Sequence, residues 1–296
     1  MRMDIRHAFI GSTGHLREGW FAALFLVGLF AILAPLLIWS EQAGREISVA
    51  EQTIIILLVT WACQWLRKKR LSDAVGQFDA RWPVEFGAGA LIGAVLMLVP
   101  AILLLLIGAV RWGPAATPAS LIWSGMLGML IVAIAEELLF RGFLFQRLLG
   151  AIGVWPAQLL IAGFFLLTHL GNPGLQGTTK IWAATNIFMA SLLFGFAYLR
   201  TRSLAMPVGI HFAANSVQGP VLGMAVSGNE AASALTPSFA SSSAWLTGGT
   251  FGLEGSLPGL ACVLTALVLL AVTGRKESTG RERTSVKATK QPLSGT

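Results

Sequence analysis

The chain has 296 residues, of which 55% are hydrophobic and only 12% charged. A soluble globular domain carries about 25% charged residues, so the composition argues against an ordinary soluble enzyme, a coiled coil and a disordered chain. The net charge of +7 could suit a nucleic-acid binder, but the positive residues cluster between hydrophobic runs and in the tail, the pattern that orients a membrane protein.

Eight apolar segments reach or approach the roughly 20 residues a helix needs to cross a hydrocarbon core. They are predicted near 19–39, 50–66, 86–110, 119–146, 155–170, 181–199, 204–226 and 257–273. Helix is the expectation because an open strand cannot satisfy its backbone in lipid, and none of these runs alternates as a barrel strand would. The predicted fold class is all-α, a polytopic bundle of eight transmembrane helices. The first run is too long for the h-region of a cleavable signal peptide and reads as a retained anchor.

Residues 1–118 hold three spans and their loops, and 119–226 hold the next four. Residues 227–256, rich in Ser, Ala and Gly and free of Lys and Arg, read as a flexible outer loop. The last span, 257–273, leads into a basic tail, 274–296, expected to be disordered, cytoplasmic and drawn to anionic headgroups. With the N-terminus inside, the inner segments and tail carry 17 Lys and Arg and the outer loops only Arg45, Arg111 and Lys180. This asymmetry predicts an N-in, C-in, multi-pass protein, of the plasma (inner) membrane if bacterial. Cys63 and Cys262 both sit in apolar runs, where they serve packing rather than a disulfide framework or a CxxC site.

An ionisable side chain inside a span costs roughly 2.5–3.5 kcal/mol on insertion scales. Five occur within these spans, namely Glu136, Glu137, Arg141, His169 and His211, and they are confined to the fourth, fifth and seventh. Glu137 and Arg141 are one helical turn apart and can neutralise each other, so their role is structural, orienting the neighbouring carboxylate. Glu136 is rotated by about 100° from Glu137 and has no obvious packing value. Phe165 lies one turn before His169. His211 and Asn215 are four residues apart and face one groove, where an amide and an imidazole could also simply tie helices together. Glu136 and His169 are each about 21 Å of helix from the same turn, Gly150–Pro156, which would bring them level in an antiparallel pair. Taken together, Glu, His, His and Asn supply a base, a water ligand and hydrogen-bond donors.

AEELLFRG is an EExxxR motif (Glu136, Glu137, Arg141), FLLTH an FxxxH motif (Phe165, His169) and HFAAN an HxxxN motif (His211, Asn215). In order and setting they resemble the CPBP family of intramembrane metalloproteases, which includes the type II CAAX prenyl endopeptidases and the bacteriocin-processing and immunity proteins. The resemblance covers roughly 119–226. It implies an eight-helix bundle with a cavity open toward the cytosol, and an endopeptidase hydrolysing a peptide bond near the cytosolic side of the membrane. By the resemblance Glu136 is the general base, His169 holds the water, and His211 and Asn215 donate to the oxyanion; Glu137, Arg141 and Phe165 support them. Access between the helices carrying Arg147 and Arg200 is the expectation.

Glu136, His169 and His211 could hold zinc with one position left for water, but metal-free activation by Glu and His fits the same residues, and no HExxH helix is present. The partners are a peptide or protein substrate, membrane-anchored or lipidated, and the bilayer; nucleic acid is not among them. The rival readings are a non-proteolytic membrane scaffold or bacteriocin-immunity factor and, behind it, a small-solute transporter, since intramembrane carboxylates also relay protons.

Overall fold

A computed structural model describes residues 16–240 and 243–288, with side chains to residue 273. In chain order the helices are α1 (Glu18–Gln42), α2 (Val49–Leu66), the short α3 (Ser72–Val75), α4 (Trp82–Leu106), α5 (Ala119–Phe140), α6 (Phe143–Ile152), α7 (Val154–His169), α8 (Gly177–Thr201), α9 (Ala205–Ser216), the short α10 (Ala244–Thr247) and α11 (Leu257–Ala288). Five stretches are long and apolar enough to cross a membrane: α1, α2, α4, the α5–α6 stretch and α8. α7 and the Leu257–Thr273 part of α11 are apolar but shorter. The disordered tail expected over 274–296 falls outside the residues whose side chains are described, although the backbone of α11 continues helical to Ala288.

The helices present apolar side chains outward and hold charge inside. Trp65, Leu91, Leu106 and Trp123 are 67–79% exposed, while Glu137 and Arg141 have no exposed surface. In water such a surface would aggregate; against lipid chains it is solvated. Pro35 and Pro100 lie inside α1 and α4, as membrane helices tolerate. α2 begins with a capping box, in which Ser48 accepts from the Glu51 amide and Glu51 accepts from the Ser48 amide.

Three expectations need correction. The fold is not purely helical: Val110–Pro114 (β1) and Leu235–Phe239 (β2) form an antiparallel pair, with Val110 opposite Phe239. β1 starts at Val110, the last residue of the predicted span, and runs on through Arg111 to Pro114, where hydropathy gives no sign of a strand. The 227–256 segment is folded rather than a plain loop, because Phe251 and Leu253 are fully buried and join the hydrophobic core of the helices. The predicted spans 119–146 and 204–226 are also interrupted. The fourth breaks at Arg141–Gly142, and a Cβ at Gly142 would meet the Leu138 carbonyl. The seventh ends at Ser216 and widens into a π-helical turn, Val217–Val221, where the Leu222 amide reaches the Val217 carbonyl and Pro220 has no N–H to give.

Contacts sort the connecting segments into two ends. At one end Glu18 takes Arg67 (3.1 Å) and Arg147, and Gln146 donates to the Ala74 carbonyl. At the other, β1 pairs with β2, Trp112 Nε1 donates to the Leu222 carbonyl (2.8 Å), and Asn172 Nδ2 donates to the Ser227 carbonyl (3.1 Å).

α4 and α9 cross at backbone contact. A Cβ at Gly89 would meet the carbonyl of Met206, at Gly93 that of Ile210, and at Gly209 that of Phe86. Small residues four apart let membrane helices approach this closely. Gly93→Val is therefore expected to push α9 outward at the turn before His211 and destabilise the protein by about 1–3 kcal/mol. Thermal unfolding of the purified protein in detergent reads this, with Gly87→Val, which meets no neighbour, as the neutral control.

Candidate active site

α5 carries the two carboxylates to its last turn, where the chain breaks and Arg141 turns inward. Arg141 Nη1 donates to Glu137 Oε1 at 3.2 Å, and Nη2 donates to the carbonyl and Oγ of Ser191 on α8 at 2.7 and 2.6 Å. The rings of Phe140, Phe165 and Phe194 lie 5.1–5.8 Å from its guanidinium. A buried charge persists only when paired and hydrogen-bonded, and this one is held on both counts.

Glu137 does more than neutralise Arg141. Its Oε1 also lies 3.0 Å from His211 Nδ1, so the carboxylate fixes the imidazole through one nitrogen and turns the other toward Glu136. His211 Nε2 is 3.8 Å from Glu136 Oε2. Phe194 stacks on the same imidazole with centroids 5.0 Å apart and planes 7° from parallel, removing the remaining rotational freedom. Glu136 Oε2 is buried without a hydrogen-bond partner among the described residues. An ionisable oxygen left open beside a held imidazole is available to a reacting molecule.

His169 ends α7. Its Nδ1 lies 2.8 Å from the Phe165 carbonyl, and a proton there leaves Nε2 to accept from water. The Phe165 ring lies against it, 4.5 Å between centroids, which gives the FxxxH spacing a physical purpose. Glu136, His169, His211 and Asn215 all line one cavity of about 470 Å³. The structure thus brings these four residues to one cavity, although they come from α5, α7 and α9.

Residues 118–217 match the family described as type II CAAX prenyl endopeptidase Rce1-like. This segment is similar to that family. It contains Glu136, Glu137, Arg141, Phe165, His169, His211 and Asn215, every residue of the three motifs, and the family is one of peptidases. The uncharacterized protein YyaK of Bacillus subtilis (strain 168) is 30% identical over 99 residues, 32% of each chain; the aligned stretch thus spans about a third of that relative. No solved structure matches. With its apolar helices, the chain is a membrane protein with a segment similar to a family of peptidases.

The structure also adds residues that sequence reasoning missed, Asn186 within the matched segment and Gln218, Ser227 and Glu254 after it. Glu254 Oε1 accepts from Gln218 Nε2 (2.8 Å) and the Ser227 amide (2.9 Å), and its Oε2 accepts from Ser227 Oγ (2.9 Å). This holds Ser227 in the cavity wall. Asn186 on α8 anchors the Glu254 carbonyl (2.8 Å). The signal in the sequence was one of two carboxylates, Glu230 and Glu254, in a Ser- and Gly-rich stretch.

The donor types around the cavity are those zinc takes. Among the described residues, however, no group of three or more His, Cys, Asp or Glu side chains comes together at metal-holding spacing, and one nitrogen of His211 is already engaged by Glu137. Cys63 and Cys262 are free thiols and line no part of the cavity. Nor do Arg147 and Arg200, expected to flank the way in; Arg147 pairs with Glu18, and Arg200 donates to Thr273.

Proposed function

We propose that the protein is an intramembrane endopeptidase that hydrolyses a peptide bond with water activated by Glu136. The observation that carries this reading is the unpartnered Glu136 oxygen 3.8 Å from an imidazole held by Glu137, in a cavity shared with His169 and Asn215. Its placement inside a segment similar to peptidases supports the reaction class.

His169 Nε2 accepts a hydrogen bond from the water and aims its second proton at Glu136. As the water oxygen bonds to the scissile carbonyl carbon, Glu136 takes the proton and the carbonyl π electrons move to oxygen. His211 Nε2–H and the Asn215 amide donate to that oxyanion, a contribution of about 2.7–4 kcal/mol for a well-placed donor. For His211 to donate there it must carry a proton on Nε2, and Glu136 and Glu137 supply the countercharge. Collapse of the intermediate breaks the C–N bond, and Glu136 returns its proton to the leaving amine. No step passes through a metal ion.

The setting we propose is an eight-crossing, N-in, C-in, multi-pass protein of the plasma membrane, with a bilayer-anchored polypeptide as substrate. The 17-to-3 distribution of Lys and Arg supports the orientation, and the buried Glu136 Oε2, without a hydrogen-bond partner among the described residues, supports chemistry over scaffolding. Comparing membrane peptides from cells expressing the wild type or Glu136→Gln tests this. New termini found only with the wild type support the peptidase. Identical peptide sets, with a partner-binding phenotype that survives the substitution, favour the scaffold or immunity reading.

A further inference from the structure

A second, smaller cavity of about 60 Å³ adjoins the catalytic one, and His169, His211, Asn215 and Ser227 line both. The first is walled by α2 and α5, the second by apolar side chains of α4, α8 and α11, among them Leu96, Met97, Ile187, Leu193 and Val263. Away from the shared residues its polar groups are Asn186, Gln218 and Glu254. They are bonded to one another, and the mechanism proposed above uses none of them.

The bonds within this cluster leave oxygen atoms over. Gln218 Nε2 donates to the Ala225 carbonyl (2.7 Å) and to Glu254 Oε1 (2.8 Å), while its Oε1 is buried without a partner among the described residues. Asn186 Nδ2 donates to the Glu254 carbonyl (2.8 Å), and its Oδ1 is left in the same state. The two side chains are 2% and 1% exposed for Asn186 and Gln218, so bulk water does not satisfy them. No Lys, Arg or His among the described residues pairs with the Glu254 carboxylate. Buried acceptors are normally satisfied. Two of them beside a carboxylate without a cation mark a place for hydrogen-bond donors and positive charge.

We propose that this second cavity binds a primary alkylammonium, the group that ends a lysine side chain. An ammonium brings three donors and no acceptor, matching the two amide oxygens and the carboxylate. Its alkyl stem lies along apolar wall, as lysine stems do. At about 10–15 Å³ for each water-sized group there is room for about four to six heavy atoms. A lysine side chain has about five, while the longer, forked arginine side chain with about seven does not fit. If the chain is the peptidase described above, the lysine flanks the scissile bond, because the two cavities meet at His169, His211 and Asn215. That half of the inference rests on the peptidase reading; the ligand of the cavity does not.

The probe is n-butylammonium chloride, read by thermal unfolding of the purified full chain in detergent. A saturable rise in Tm is expected in the wild type and in Glu136→Gln. In Glu254→Gln the apparent affinity is expected to fall about 10- to 100-fold, the loss of one hydrogen bond to a charged group. Ala190→Leu, which fills the cavity from α8 without altering the polar cluster, is expected to abolish the rise and serves if Glu254→Gln does not fold. A rise that butanol or sodium chloride reproduces at the same concentration overturns the proposal, and so does one unchanged in both variants. Mapped cleavage sites with Lys at one fixed position beside the cut, a preference lost in Glu254→Gln, place the ammonium on the substrate. Sites without that preference, with the butylammonium rise intact, make a free alkylamine the ligand. A rise without any Glu136-dependent cleavage keeps the ammonium site and removes the peptidase.

Discussion

Glu136→Gln is expected to lower the rate of peptide hydrolysis by about 100- to 10,000-fold, the range a positioned general base contributes. The amide is nearly isosteric but cannot take the water's proton or return it to the amine. Stability is expected to hold, because the Glu136 carboxylate bears none of the hydrogen bonds that fix Arg141, which run to Glu137 and Ser191. The effect belongs in kcat with KM little changed, since substrate binding does not require the base to ionise. Turnover of a substrate found by membrane peptide comparison, measured on purified protein alongside thermal unfolding, separates the two quantities.

Arg141→Ala is expected to have the largest effect on stability. Its guanidinium is wholly buried among three phenyl rings and satisfies Glu137 and two oxygens of Ser191. Removing it leaves a buried carboxylate short of its countercharge, a loss of about 3–5 kcal/mol when one partner of a buried pair goes. Arg141→Lys keeps the charge but not the two-pronged geometry, and is expected to fall between. Activity should follow stability here, because the same Glu137 that loses Arg141 also holds His211. Thermal unfolding in detergent, read for both variants, gives the order wild type, Lys, Ala.

Much of this site was legible because charge is conspicuous in an apolar sequence. Glu136, His169 and His211 stood out on cost and Asn215 by its spacing from His211, and the structure places all four on one cavity. What could not be read was how they are held. Nothing in the spacing of Glu137 says that it reaches 74 residues along the chain to His211, because helical periodicity reports neighbours on one helix and not partners on another. The close α4–α9 crossing depends on Gly89, Gly93 and Gly209, whose effect is the absence of a side chain and so leaves no mark in hydropathy. β1 and the folded 227–256 segment were hidden for related reasons. The strand is stabilised by its pairing with β2, and the segment by two buried residues, Phe251 and Leu253, in an otherwise polar and glycine-rich stretch.

The central claim is that Glu136 and the two imidazoles activate water as protein groups. Metal content and cleavage rate, measured on the same purified preparation of the full chain, test it most directly. Full turnover in protein holding far less than one zinc per chain, unchanged by chelation and abolished by Glu136→Gln, is the expected result. Turnover that disappears on chelation and returns in proportion to added zinc would contradict it.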